Sequence, residues 1–235
     1  MKNHQGLVIF DLDGTLFCSD TATVPAVQQV FAQFGLPAPS KQQIISYIGP
    51  SEDEFHKWVR SLCPSHLGHA VLDAVLQRER ALLSQAGYLY SGVREALTSL
   101  RATVGELAVC TYASPGYAEE VLNSHEIAPF FDLLRCRLSS RDTKIEMVRE
   151  ILSRLDCRPG MLIGDRTVDI EAAHENGLRA IGVLYGYGSA EELACADAVA
   201  SAATQLPELV HALLMHSQPN DAVNAKDLFK VAVTR

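Results

Sequence analysis

The sequence contains no long basic run, and none of its apolar runs reaches the length of a membrane-spanning helix. With a formal net charge of -8, the first shortage argues against a nucleic-acid polymer as partner. The second argues against a membrane partner. The N-terminus also lacks the basic-then-apolar pattern of a signal peptide. Six cysteines (Cys18, Cys63, Cys110, Cys136, Cys157, Cys195) are scattered with no CxxC pair. Several lie in apolar runs and read as buried thiols of a reducing compartment, so a cytoplasmic location is expected. There are no internal repeats. What is present is an ordinary globular composition, 48% apolar and 20% charged. At 235 residues the chain fits one large domain, or one domain carrying an insertion.

The chain is organised around Asp11-Leu12-Asp13-Gly14-Thr15-Leu16, which follows the apolar run Leu7-Val8-Ile9-Phe10. So short a run, rich in β-branched residues, reads as a buried strand of a parallel sheet. It delivers Asp11 and Asp13 to the strand's C-terminal end, where open α/β sheets bind ligands. Along an extended strand two residues apart point the same way, and two like charges there need a cation or a proton between them. Gly14 allows a sharp turn and close approach to a ligand. That is the chemistry of a nucleophile, a neighbouring proton donor and a metal.

From residue 17 to about 88 the pattern is helical. Val24, Val27, Val30, Phe31 and Phe34 recur at helical spacing, and Gly35 is a natural stop. Ser40 with Gln43, and Ser51 with Glu54, match capping boxes. The second box leads into Phe55, Trp58, Val59 and Leu62, and Leu67 to Leu82 continue the rhythm. No strand is expected here, so the stretch reads as about four helices inserted after the first strand. Trp58 reads as core of that bundle, and His66 and His69 as solvated side chains.

Helix and strand alternate from Tyr90. Leu107-Ala108-Val109-Cys110 is a strand ending at Thr111, and Ser114-Pro115 starts a helix. Thr111 thus sits where a hydroxyl and free backbone N–H groups make an anion site. Phe130, Phe131, Leu133 and Leu134 contribute core without a definite strand. Thr143 and Glu146 form a further capping box, and Ile145, Val148, Ile151, Leu152 and Leu155 give its helix a buried face. Lys144 then lies in the first turn, where a positive charge opposes the helix dipole and calls for an anion. Met161-Leu162-Ile163 ends in Gly164-Asp165-Arg166-Thr167-Val168-Asp169. Asp165 and Asp169, one turn apart, face one point, and with Asp11 and Asp13 they suggest a hard divalent cation. Ala180 to Leu184 is another strand, Ser189 and Glu192 a last capping box, and the region past Leu214 a polar tail.

These motifs resemble the haloacid dehalogenase-like hydrolase superfamily, and within it the phosphoglycolate phosphatase-like branch. The resemblance rests on DLDGTL at Asp11, the strand-end Thr111, Lys144, and GDRTVD from Gly164 to Asp169. The run from Ile181 to Leu193 is similar to that branch, and YIGP at Tyr47 to Pro50 is similar to its phosphatase and nucleotidase relatives. Lys144 is followed by Ile145, where many members have proline. The resemblance implies an α/β fold, a Rossmann-like parallel sheet core with an inserted all-helical cap. The core would be residues 1–16 and 89–214, the cap 17–88, and the tail 215–235.

The resemblance also implies a mechanism: a phosphatase that forms an aspartyl-phosphate on Asp11, with Asp13 as general acid and then base. Mg²⁺ would be held by Asp11, the Asp13 backbone carbonyl and Asp165. Thr111 and Lys144 would bind the phosphoryl oxygens, and Asp169 would orient Lys144 or a water on the metal. The expected partner is a small phosphorylated metabolite, with 2-phosphoglycolate first and a nucleoside 5'-monophosphate as rival. A β-phosphoglucomutase-type phosphotransferase stands third. A non-catalytic binding protein and a dehalogenase are disfavoured by the intact acidic set. The chain is expected as a monomer or homodimer.

Overall fold

The computed structural model describes residues 6–49, 52–155 and 159–215. All four side chains of β1 (Leu7–Phe10) are buried, which requires cover on both faces of its sheet. β2 (Glu106–Thr111), β3 (Leu133–Cys136), β4 (Gly160–Gly164), β5 (Arg179–Val183) and β6 (Ala198–Ala200) complete the sheet. Their order is β3-β2-β1-β4-β5-β6, and every pair is parallel. In β1, Val8 and Phe10 join the core on one face, Leu7 and Ile9 that on the other. The first core includes residues of α5 (Val93–Thr103), α6 (Pro115–Ser124) and α9 (Leu206–Met215). The second includes residues of α7 (Lys144–Arg154) and α8 (Thr167–Glu175). This is the α/β class expected.

Strand order reverses about β1, between β2 and β4, and ligands of such sheets bind beyond the strand C-termini at that reversal. Asp11, Thr111 and Asp165 all leave the sheet at this end. Between β1 and α5 the chain forms α1 (Asp20–Gln33), α2 (Lys41–Ile45), α3 (Glu52–Ser61) and α4 (Gly68–Leu83). Val27, Phe31, Val59, Val71 and Val75 meet in a separate core between these helices. Gly35 ends α1 with φ +68°, a left-handed conformation that glycine adopts without strain. Ser40 and Gln43 make both bonds of their capping box. Ser51, Pro50, Cys157 and residues 216–235 lie outside the described residues, and with them the Ser51 box and nearly all of the expected tail. Among the described residues no helix is long and apolar enough to cross a membrane.

Several local expectations need correcting. Leu62 is exposed, because α3 ends at Ser61 and the next residue leaves the helical register of Phe55 and Val59. Ser189 and Glu192 exchange their capping bonds, yet residues 190–195 stay in turns. The chain there must reach β6, and the Asp197 carboxylate already accepts from the Ala180 N–H at 2.8 Å, which leaves no length for a helix. In α7 the buried positions include Lys144 and Met147, while Ile145 is only half-buried. Ser114 takes the N-cap position of α6 without a side-chain capping bond. Cys18, Cys110 and Cys136 are buried, Cys63 is half-buried, and Cys195 is exposed.

Candidate active site

β1 ends at Phe10, and Asp11 continues its ladder by donating its N–H to the Ile163 carbonyl at 2.9 Å. Lys144 opens α7 behind a complete Thr143–Glu146 capping box. Its backbone N–H donates to the Tyr112 hydroxyl at 2.9 Å, and its ammonium lies 5.4 Å from that ring's centroid. Only 3% of the Lys144 side chain is exposed, and the ammonium pairs with Asp11 Oδ1 and, at 2.6 Å, with Asp169 Oδ1. A cation in a helix's first turn and out of water is tolerated only with such partners.

Acids outnumber the cation. Burial draws the Lys144 ammonium down, but the charges of Asp11 and Asp169 outweigh it and hold it well above the usual lysine range. Burial lifts Asp11 well above the carboxylate range against the pull of Lys144, and Asp169 and Asp165 add to the rise. Asp165 is pushed up to about 7, by burial first and then by Asp169. Burial and the excess of negative charge thus both favour the protonated forms of Asp11 and Asp165, and the charge favours that of Lys144.

One carboxylate oxygen from each of Asp11, Asp165 and Asp169 lies within 4.8 Å of the other two. Asp165 Oδ2 accepts from the Tyr187 N–H at 2.7 Å, while its buried Oδ1 has no hydrogen-bond partner. Three converging acids, one lysine and an orphaned oxygen fit a hard divalent cation. The Asp13 side chain lies outside this set. The backbone, by contrast, passes close to the cluster. Gly14 has φ +87°, and a Cβ there would overlap Asp165 Oδ2. A Cβ on Gly164 would overlap the Asp169 carboxylate.

The two aspartates of the first motif take different partners, since the strand ends before them. Asp13 Oδ1 accepts from the Tyr117 hydroxyl of α6 at 2.9 Å. Burial raises the Asp13 carboxyl, opposed by hydrogen bonds from Ser19 and Tyr117. Thr111 is buried, and its Oγ1 accepts from the Ala113 N–H at 3.0 Å, leaving the hydroxyl hydrogen to donate. Asp11, Asp13 and Thr111 line one cavity of about 250 Å³, which α3 and α4 wall on the other side through Glu52, Phe55 and Glu79. Glu52 Oε1 accepts from the Ser114 N–H at 2.7 Å. Glu79 Oε1 accepts from Thr23 Oγ1 at 2.5 Å. Burial, with smaller contributions from Asp13 and Glu52, pushes Glu79 up to about 7 against the Thr23 bond.

Asp11, Lys144, Asp165 and Asp169 thus form one charged cluster, with Asp13 and Thr111 beside Asp11 on the cavity wall. Sequence reasoning did not find Tyr112, Tyr117, Tyr187 or Glu79. Tyr112 adjoins Thr111, and Tyr187 lies between two glycines, Gly186 and Gly188, which are the signals that were available. Trp58 stacks on Tyr47 with centroids 4.5 Å apart and packs against the helical core. His66 and His69 are exposed and belong to no acidic or cysteine cluster among the described residues.

Residues 8–183 match the family model described as haloacid dehalogenase-like hydrolase. The tyrosine-protein kinase PtkA of Mycobacterium tuberculosis is 30% identical over 193 residues, 79% of this chain and 64% of that protein. The chain therefore spans just under two thirds of that relative's length. The phosphoglycolate phosphatase of Vibrio parahaemolyticus is 28% identical, covering 87% of this chain and 95% of that protein. The crystal structure of a predicted phosphoglycolate phosphatase from Haemophilus somnus superposes with a TM-score of 0.79 at 21% identity. That match covers 89% of this chain and 99% of that one, and shows a shared fold.

Proposed function

We propose, from the premise that this chain belongs to the haloacid dehalogenase-like hydrolase family, that it is a phosphatase and hydrolyses a small phosphomonoester through an aspartyl-phosphate on Asp11. The observation that carries this reading is the buried Lys144 paired with both Asp11 and Asp169, beside the orphaned oxygen of Asp165. A cluster with more acid than base, at a sheet's topological switch, suits a metal and a phosphoryl group together.

Asp11 attacks phosphorus, and the P–O bond to the leaving alcohol breaks as the new one forms. Asp13, held by Tyr117, gives that alkoxide its proton, then takes one from the water that releases phosphate from Asp11. The Thr111 hydroxyl and the Lys144 ammonium hold phosphoryl oxygens, and Asp169 keeps Lys144 aimed at Asp11. Asp11, the Asp13 backbone carbonyl and Asp165 would hold Mg²⁺, and Asp169 groups with Asp11 and Asp165 closely enough that it could share in it. When bound, Mg²⁺ supplies the positive charge that screens nucleophile from phosphate and stabilises the transition state.

The division into a core of residues 1–16 and 89–214 and a cap of 17–88 belongs to the same proposal, the cap excluding bulk water from the cavity. The branch puts 2-phosphoglycolate first among compounds to try. The test is phosphate release from a panel of phosphomonoesters, with Mg²⁺ and with EDTA. Release only with metal is expected, and metal-independent or absent hydrolysis across the panel overturns the reading.

A further inference from the structure

Resting on that phosphatase reading, we propose that the substrate's leaving group is an uncharged alcohol bearing a second hydroxyl, and that Glu79 selects it by hydrogen bonding to that hydroxyl. Glu79 belongs to α4 and is 9% exposed, and the exposed part lines the cavity that holds Asp11 and Thr111. Thr23 occupies Oε1 at 2.5 Å, and among the described residues no donor meets the other oxygen. That oxygen is open to the cavity, where a ligand hydroxyl reaching in can bond it. The group serves in either protonation state: the carboxylate accepts from the hydroxyl, and the acid donates to it.

The charges around the cavity point the same way. Asp13 and Glu52 line it together with Glu79, while Lys144 is not among its lining residues. Lys144 is already paired with Asp11 and Asp169. Arg80 also lines the cavity, but it is exposed to solvent, where its attraction is weakened by water. A carboxylate on the leaving group would add a further acid to this acidic lining, whereas a hydroxyl would not. Phe55, Leu76 and Leu83 supply apolar wall for the carbon skeleton. A glycolate leaving group is therefore the wrong one for this cavity, although the branch puts it first.

Two substrates of nearly equal size separate the cases: 2-phosphoglycolate, and 2-hydroxyethyl phosphate, in which CH₂OH replaces the carboxylate. Phosphate release from both, and from p-nitrophenyl phosphate, is measured with Mg²⁺. The expected kcat/KM for 2-hydroxyethyl phosphate exceeds that for 2-phosphoglycolate by about tenfold or more, and Glu79→Leu lowers this ratio by about tenfold. Equal or faster cleavage of 2-phosphoglycolate by the wild-type protein overturns the inference, and that result needs no folded variant. An unchanged ratio in folded Glu79→Leu also overturns it. So does hydrolysis of p-nitrophenyl phosphate with neither of the other two, which leaves the phosphatase reading intact. No phosphate from any of the three overturns that reading itself, and this inference with it.

Discussion

The Tyr117 hydroxyl donates to Asp13 Oδ1 at 2.9 Å across 104 residues of sequence, tying α6 to the first acidic motif. Asp11, two residues earlier, is fixed instead by Lys144 from α7. Each of the two acids thus has its own positioning residue, on a different helix. The arrangement gives Asp11 a cation suited to a nucleophile, and Asp13 a neutral donor suited to a group that must gain and lose a proton.

Tyr117→Phe keeps the ring and removes only that donor. A hydrogen bond to a charged group contributes roughly 1.5–3 kcal/mol, so a drop in kcat of about tenfold or more is expected. KM should change little, because Tyr117 holds the acid and not the phosphoryl group. Steady-state kinetics on one good substrate, with circular dichroism to confirm folding, makes the check. A large rise in KM at constant kcat would assign Tyr117 to substrate binding instead.

Lys144 is the buried cation for Asp11 and Asp169, and Lys144→Met leaves both carboxylates without it. Breaking a buried pair by removing one partner costs about 3–5 kcal/mol. Urea unfolding of the metal-free variant should show a loss of that order, and Mg²⁺ should recover part of it by binding the folded state. A midpoint equal to wild type in EDTA would mean that water already screens the cluster.

Much of the site was legible because its residues sit at strand ends and helix starts, where local patterns are strongest. Asp11, Thr111 and Asp165 each follow an apolar run, and Lys144 follows the Thr143 of a capping box. The tyrosines were not legible, since Tyr117 and Tyr187 reach their acids only through the packing of distant elements. Glu79 lies in the run Arg78-Glu79-Arg80, which reads as a solvated helix face until the cavity is seen. β6 has three residues, too few for any periodicity to mark it. Ser189 with Glu192 shows the converse: a correct local motif, with both its bonds, that tertiary geometry does not let grow into a helix.

Asp11→Asn is nearly isosteric and keeps Lys144 paired with Asp169. The fold should survive, while the amide cannot serve as nucleophile. A fall in turnover of about 10⁴-fold or more is expected, of the size seen when a nucleophile is removed elsewhere. The assay is Mg²⁺-dependent phosphate release by purified protein, with unfolding followed alongside. Wild-type turnover in a folded, pure variant would remove Asp11 from the chemistry.

Gly14→Ala tests whether the close approach of the backbone builds the metal site. The residue has φ +87°, a region that costs an L side chain roughly 1–2 kcal/mol, and the new Cβ would overlap Asp165 Oδ2. The obstacle is a carboxylate already fixed by the Tyr187 N–H, so Asp165 cannot swing away without losing that bond. Two effects are expected together: a loss of stability of about 2 kcal/mol or more, and weaker Mg²⁺ affinity. Urea unfolding reads the first, and calorimetric titration of Mg²⁺ into folded protein reads the second. Lower stability with unchanged Mg²⁺ affinity would confine Gly14 to the turn and place the cation away from Asp165.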